Sequence, residues 1–525
     1  MPGKIRADSQ MKNLSQTISP LVGLTPELAK LAARTTEPGT PCRPWAATGG
    51  AHDLRVVAVI PALNEVDTIA KAVAGALAHV QRVLVADNGS TDGTAKAAAA
   101  AGAEVVPAPR RGYGSACLAV LEVLAAEPTP PDAVLFMDAD GSDDASQIPR
   151  LLAPIASGQA DFVLGSRTQG PAEAGALTTP QRLGSWILSA WLKYRYGVKA
   201  SDLGPFRVLR YDALRRLAMD DRDFGWTIQM QARAATAEAG IRYQEIAVPY
   251  FRRQSGKSKI SGTLRGSWQA GSTILKTAWR ERHWQPGPTA HVAVLAKMPE
   301  PGRVKTRLAA GIGEAAATQI HERMLRHTLR RVAALPHTFW WDASSKKVGN
   351  AKDWDATRVR TAYGSWRRYE RQGGGDLGAR IDAALQDAFD RGYDAAMVVG
   401  SDCPDLTAQD LEDASRKLLD READVVLGPS EDGGYWLLGV HRSAWTDDQT
   451  RRLTKGIDWG TETVLAQTRD AIQAAGLRYH ELRWLNDVDT LETLPVWERH
   501  DPSPPLSSLI QPSDAILERT PEFPH

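Results

Sequence analysis

The sequence predicts an α/β protein made of two tandem domains, each with a mostly parallel sheet. Three observations carry this. Valine-rich apolar runs alternate with helix-patterned segments from residue 54 onward, the pattern of a parallel sheet covered on both faces. The alternation restarts after residue 289, where HVAVLAKMPEPG echoes the earlier RVVAVIPALNE. Each segment then runs an apolar strand into acidic residues, AVLFMDADGSDD and AAMVVGSDCPDL, and later carries a near-identical strand, ADFVLGS and ADVVLGP. Asp138 to Asp161 is 23 positions and Asp402 to Asp424 is 22, so order and spacing are both shared, as expected of two copies of one architecture.

The elements follow in chain order. Residues 1–52 mix Thr, Pro, Gly and Ala without a sustained period, so they read as a disordered or partly helical extension with one short helix at PELAKLAAR. The first domain spans 53–282. RVVAVIPALNE reads as a strand buried on both faces, VDTIAKAVAGALAHV as a helix, and RVLVAD as a second strand that ends in the turn NGSTDGT. AKAAAAAG is a helix and AEVVPA a short third strand. The prolines and glycine of HWQPGPT mark a linker at 283–289. The second domain spans 290–498, and the proline-punctuated residues 499–525 read as a tail.

Composition narrows the function classes. The 525 residues carry 63 basic and 62 acidic side chains, a formal net charge of +1. Near-neutrality and the lack of interleaved basic and aromatic residues argue against nucleic-acid binding. The sixteen tryptophans are dispersed, as core residues are, and Trp226 alone is of interest for its motif. Cys42, Cys117 and Cys403 are too few and scattered for a disulfide framework or a zinc site, which fits a reducing compartment. No run reaches the roughly 18 apolar residues of a membrane span; the most apolar, 70–86, is broken by Lys71, His79, Gln81 and Arg82. No apolar core follows the charged N-terminus, so it is not a secretory signal. The expected setting is the cytoplasm, with peripheral membrane contact left open.

In open α/β sheets ligands sit at the carboxyl ends of the strands, and three acids of the first domain fall there. Asp87 ends a strand and enters a tight turn that exposes backbone N–H groups. Asp138 and Asp140 end the next strong strand, and strand alternation would put both on one side. Two carboxylates so placed repel unless a cation lies between them, and oxygen-only ligands favour Mg²⁺ or Mn²⁺. On the residues alone, a solvated loop with helix-capping acids competes, because Gly141-Ser142-Asp143-Asp144 is also good N-cap sequence.

IPALNE (Ile60 to Glu65), DNGSTDGT (Asp87 to Thr94), DADG (Asp138 to Gly141) and GSR (Gly165 to Arg167) resemble family 2 glycosyltransferases of the GT-A fold. SDLGPFR, FGWTIQMQ and RRQSGKSKISGT resemble the branch related to polyprenyl-phosphate mannosyl- and glucosyltransferases. The resemblance covers about residues 54–280. It implies that Pro61, Asn64 and Glu65 border the nucleotide site, that Asp87 reads the base, and that Asp138 and Asp140 hold the metal and diphosphate of an NDP-sugar. It also implies inversion at the anomeric carbon. Arg252, Arg253, Lys257 and Lys259 would hold a phosphorylated acceptor through charge-assisted hydrogen bonds; the residues alone favour a mobile basic surface loop. Two departures stand out. Gln229 occupies a place where an acid is usual, so no general base is assigned, and the membrane-anchoring helices of some relatives are missing. Asp143 and Asp223 read as solvated acids.

In the second domain, KMPEPGRVKTRL puts Lys297, Arg303, Lys305 and Arg307 after the first strand, either a phosphate cradle or a basic turn before a helix. GSDCPDL, EDGGY and NDVDT add acids at separate strand ends. Together these blocks resemble an uncharacterised GT-A-like family related to nucleotidyltransferases. By that resemblance Lys297, Lys305 and Arg307 would hold an NTP triphosphate, and Asp402 and Asp487 a metal. The leading expectation is a metal-dependent glycosyltransferase fused to a domain that makes or binds the nucleotide sugar, with its product released beside its consumer. The alternative is a non-catalytic nucleotide-binding scaffold.

Overall fold

The computed structural model describes residues 54–173, 176, 179–198, 200–236, 240–253, 272–273, 276–342, 354–445 and 453–501. The expected extension at 1–52, its short helix and the tail beyond residue 501 lie outside them.

The chain forms two seven-stranded sheets of one topology. The first contains β1 (Val56–Ala62), β2 (Arg82–Asp87), β3 (Glu104–Pro107), β4 (Ala133–Phe136), β5 (Phe162–Ser166), β6 (Arg207–Arg210) and β7 (Tyr243–Ala247) in the order β3-β2-β1-β4-β6-β5-β7. The second contains β8 (Ala290–Lys297), β9 (His337–Asp342), β10 (Arg368–Arg371), β11 (Ala395–Val399), β12 (Val425–Pro429), β13 (Tyr435–His441) and β14 (Tyr479–Glu481) in the order β10-β9-β8-β11-β13-β12-β14. Only β6 and its counterpart β13 run antiparallel to their neighbours. The α/β class with two mostly parallel sheets is therefore the fold the chain adopts.

Burial explains the strands. Ala58, Ile60 and Ala62 of β1 pack on one face against Ile69 and Val73 of α1 (Ile69–Leu77) and Leu151 of α4 (Ile148–Ala156). Val57 and Val59 point to the other face, against Val120 and Leu124 of α3 (Tyr113–Ala125). A strand apolar on both faces needs such cover on both sides. Pro61 is tolerated because it lies beyond Val59↔Phe136, the last pair of the β1–β4 ladder.

The two halves meet through the N-terminal edges of their sheets. Trp366, just before β10, is 4% exposed and belongs to the hydrophobic core of the first half. Arg210 Nη1 donates to its carbonyl at 2.6 Å, and Arg367 Nη2 reaches Asp132 Oδ1 at 3.2 Å in a buried ion pair. Arg215 pairs with Glu412, and Ala334 joins the core behind β2. The segment expected as a linker has no regular structure, but Trp284 within it packs under Arg233.

Ligand sites in such sheets lie at the opposite, C-terminal edges. The two candidate sites therefore lie at sheet edges away from the contact between the halves.

Candidate active site

β4 ends at Phe136, two residues before the first acid, so Asp138 and Asp140 belong to a turn and not to an alternating strand. The turn is built from its own side chains. Ser142 N and Oγ donate to Asp140 Oδ1 at 2.9 and 2.6 Å, Asp138 N donates to Asp143 Oδ2 at 3.0 Å, and Gly141 takes the left-handed conformation (φ 75°) that glycine adopts without strain. Asp143, expected to be a solvated acid, is buried beside Asp138. Burial, then the charges of Asp140 and Asp143, push the Asp138 carboxyl well above the ordinary carboxylate range. Burial raises Asp143 as well.

The loops after β1 and β2 close over the same edge. Asn64 (φ 55°) donates its N–H to Ser90 Oγ at 3.0 Å and accepts from Thr91 N at 2.9 Å, while Glu65 N donates to Thr94 Oγ1 at 2.8 Å. Asp87 sits opposite Ala62 and accepts from Ser90 N at 3.0 Å, so Pro61, Asn64, Glu65 and Asp87 form one connected rim. Ser115 N, at the start of α3, donates to the carbonyl oxygen of Arg222 at 2.8 Å.

Arg253, expected among the acceptor-binding cations, lies on the acids instead. Its Nε donates to Asp140 Oδ2 at 2.8 Å and its Nη1 is 3.5 Å from Glu65 Oε1. Arg252 is exposed and donates its backbone N–H to Glu173 Oε2 at 2.8 Å; Lys257 and Lys259 lie outside the described residues. Among the described residues nothing donates a hydrogen bond to the Asp138 carboxylate. Two carboxylates offering only oxygen ligands fit Mg²⁺ or Mn²⁺. No group of three or more His, Cys, Asp or Glu that could hold a metal occurs among the described residues, so substrate or water oxygens would complete any shell here.

Two other motif residues are structural. Gln229 is fully buried, accepts from Asp220 N and Asp221 N at 3.0 and 2.9 Å, and donates to Glu281 Oε1 at 3.0 Å. Trp226 is a core residue edge-on to Phe136. Arg167 of the GSR block and Asp202 of SDLGPFR form a buried bidentate pair at 2.8 and 2.7 Å, which fixes the chain after β5.

The second half carries a cleft of about 970 Å³, lined by Lys297, Lys305, Arg307, Asp402, Asp487 and Asp489 among others. Lys297 and Arg307 are exposed at it, as a cradle requires. Lys305 is buried and pairs with Asp402 and, at 2.7 Å, with Asp489; Arg307 reaches Asp489 at 3.1 Å. Asp487 stands apart from these pairs. Burial and the charges of Asp432 and Asp489 push its carboxyl up to about 6. Two acids escaped sequence reasoning. Asp489 lies in the quoted NDVDT block, but nothing in sequence joins it to a lysine 184 positions earlier. Asp342 matches Asp87 in register, opposite Lys297 as Asp87 is opposite Ala62, and it pairs with Arg380 at 2.9 Å.

Comparison with known proteins places these features. Residues 57–218 match the family described as glycosyl transferase family 2, and residues 340–461 match a family described as an uncharacterized protein conserved in bacteria. The chain belongs, through its first half, to the family 2 glycosyltransferases. An uncharacterized glycosyltransferase of Mycobacterium tuberculosis is 44% identical over 212 residues, 40% of this chain and 92% of the relative. The undecaprenyl-phosphate mannosyltransferase of Micrococcus luteus is 30% identical over 238 residues, 43% of this chain and 94% of that protein. Among solved structures, glucosyl-3-phosphoglycerate synthase from M. tuberculosis, in complex with Mn²⁺, UDP and phosphoglyceric acid, is 21% identical and covers 51% of this chain and 86% of its own, with a TM-score of 0.36. No helix among the described residues is long and apolar enough to cross a membrane.

Proposed function

We propose that the first half is a metal-dependent, inverting glycosyltransferase that moves a sugar from an NDP-sugar to a phosphate or hydroxyl acceptor. One observation carries the reading: the Asp138–Asp140 turn and the Asp87 rim share the C-terminal edge of a family 2 fold. Asp138 and Asp140 would hold Mg²⁺ or Mn²⁺ with the donor's diphosphate, and the ion, when bound, takes up the negative charge of the departing nucleotide. Asp87 reads the base, while Pro61, Asn64 and Glu65 shape the rim. The acceptor oxygen forms its bond to the anomeric carbon from the face opposite the leaving NDP, which departs with the bonding electron pair.

Gln229 is locked in the core and supplies no base. A phosphate acceptor, already anionic, needs none, and the 30% relative acts on undecaprenyl phosphate. Arg252, Lys257 and Lys259 supply positive charge for such an acceptor. Arg253 serves first as the counter-charge of Asp140 and Glu65. A cytoplasmic setting with peripheral contact to a membrane bearing a lipid-linked acceptor accords with this chemistry. The second half is proposed to take a nucleotide or nucleotide sugar in the cleft edged by Lys297 and Arg307.

Incubation with a panel of NDP-sugars, Mn²⁺ and an undecaprenyl-phosphate or phosphoglycerate acceptor tests the reading. Acceptor-dependent NDP release is the expected result. Nucleotide binding without turnover across the panel would favour the scaffold.

A further inference from the structure

The two halves share a fold but not a cation site. Strand register makes this explicit. Val59↔Phe136 in the first sheet corresponds to Val294↔Val399 in the second, because each lies three residues before the pair that contains Asp87 or Asp342. Counting on from Phe136 and Val399 sets Asp138 against Ser401 and Asp140 against Cys403, while Asp402 falls at the place of Ala139. The second half therefore lacks both acids of the first half's pair.

Asp402 already has a cation. Lys305 Nζ lies between Asp402 and Asp489, its side chain only 3% exposed, on a backbone held at φ 49° just before α8 (Thr306–Ile312). A non-glycine residue in that conformation persists only when its surroundings fix it. Arg253, the cation on Asp140 in the first half, is 30% exposed on a segment without regular structure. The lysine is built in. Around it the same cleft presents buried polar atoms without a partner, Ser430 Oγ and His321 Nδ1, beside the exposed charges of Lys297 and Arg307.

We propose that Lys305 stands in for a divalent metal in the second cleft, so that this half takes a phosphate-bearing ligand through its own ammonium and guanidinium groups. The proposal rests on the reading of that cleft as a phosphate site and departs from the metal expected at Asp402.

The test counts Mn²⁺ bound to the full-length chain by equilibrium dialysis with electron paramagnetic resonance. The wild type is expected to bind one ion, lost in Asp140→Asn and unchanged in Asp402→Asn. Lys305→Ala, which leaves the carboxylates uncompensated, is expected to bind one ion more and to gain thermal stability when Mn²⁺ is added. Loss of an ion in Asp402→Asn, or a folded Lys305→Ala with no added ion, overturns the proposal. If Lys305→Ala does not fold, the Asp402→Asn count decides alone. A wild type and Asp140→Asn with equal counts would remove the metal reading of the first half and leave the Lys305 comparison intact. Pyrophosphate binding in EDTA provides a second readout. It is expected to persist in the wild type and to weaken at least tenfold in Lys305→Met; binding that requires added Mn²⁺ and is lost in Asp402→Asn contradicts the proposal.

Discussion

Replacing Trp366 by alanine perturbs the second half at a residue that the first half buries. The indole is 4% exposed among first-half core residues, under the Arg367 guanidinium at 4.8 Å from the ring centroid. Truncating a buried tryptophan leaves a cavity and costs about 3–5 kcal/mol. At about 1.4 kcal/mol per factor of ten, the smaller figure lowers the folding equilibrium constant by roughly 100-fold. Native-state hydrogen exchange resolves where this falls, since it reads the opening of each region separately. Protection of β1 and β4 amides in the first half should drop by two orders of magnitude or more, although the substitution lies outside that domain. Unchanged protection there, with loss confined to β9 and β10, would refute the view that the halves are one stability unit.

Three further outcomes follow from single contacts. Asp132→Ala leaves Arg367 buried without its partner and should cost about 3–5 kcal/mol, read by urea denaturation. In Gly114→Ala the new Cβ would stand 2.1 Å from the Asp221 carbonyl oxygen, so the 221–223 segment must move and the melting temperature should fall by several degrees. Asp487, raised to about 6, favours the fold fully at pH below about 4, where it is protonated folded and unfolded alike. As pH rises towards 6 the unfolded chain ionises first and this contribution is lost, with no further change above. Asp487→Asn in EDTA should therefore flatten the decline in melting temperature between pH 4 and 6; an unaltered slope would contradict the assigned burial and repulsion.

The strands were legible because each is apolar on both faces, and β2 begins and ends where RVLVAD does. The duplication was legible for the same reason, and the sheets confirm it strand for strand. Chemistry at the strand ends was harder to read. Alternation placed Asp138 and Asp140 on one side of a strand, but hydrogen bonds from Ser142 pull Asp140 into a turn. Asp143 seemed solvated because adjacent sequence is polar, whereas its burial comes from the fold around it. Long-range pairs leave no local trace: Arg253 finds Asp140 113 positions away, and Lys305 finds Asp489 across 184. The contact between the halves was illegible for a similar reason, since Trp366 and Arg367 look like loop residues until the other half covers them.

Catalysis by the acidic turn is tested most directly by NDP release from a panel of NDP-sugars in Mn²⁺ with a phosphorylated acceptor, comparing wild type with Asp140→Asn. The expected result is acceptor-dependent turnover that falls at least 100-fold in the variant and disappears in EDTA, while the variant's fold, read by circular dichroism, stays intact. Equal turnover in the two proteins, or turnover indifferent to EDTA, would contradict it.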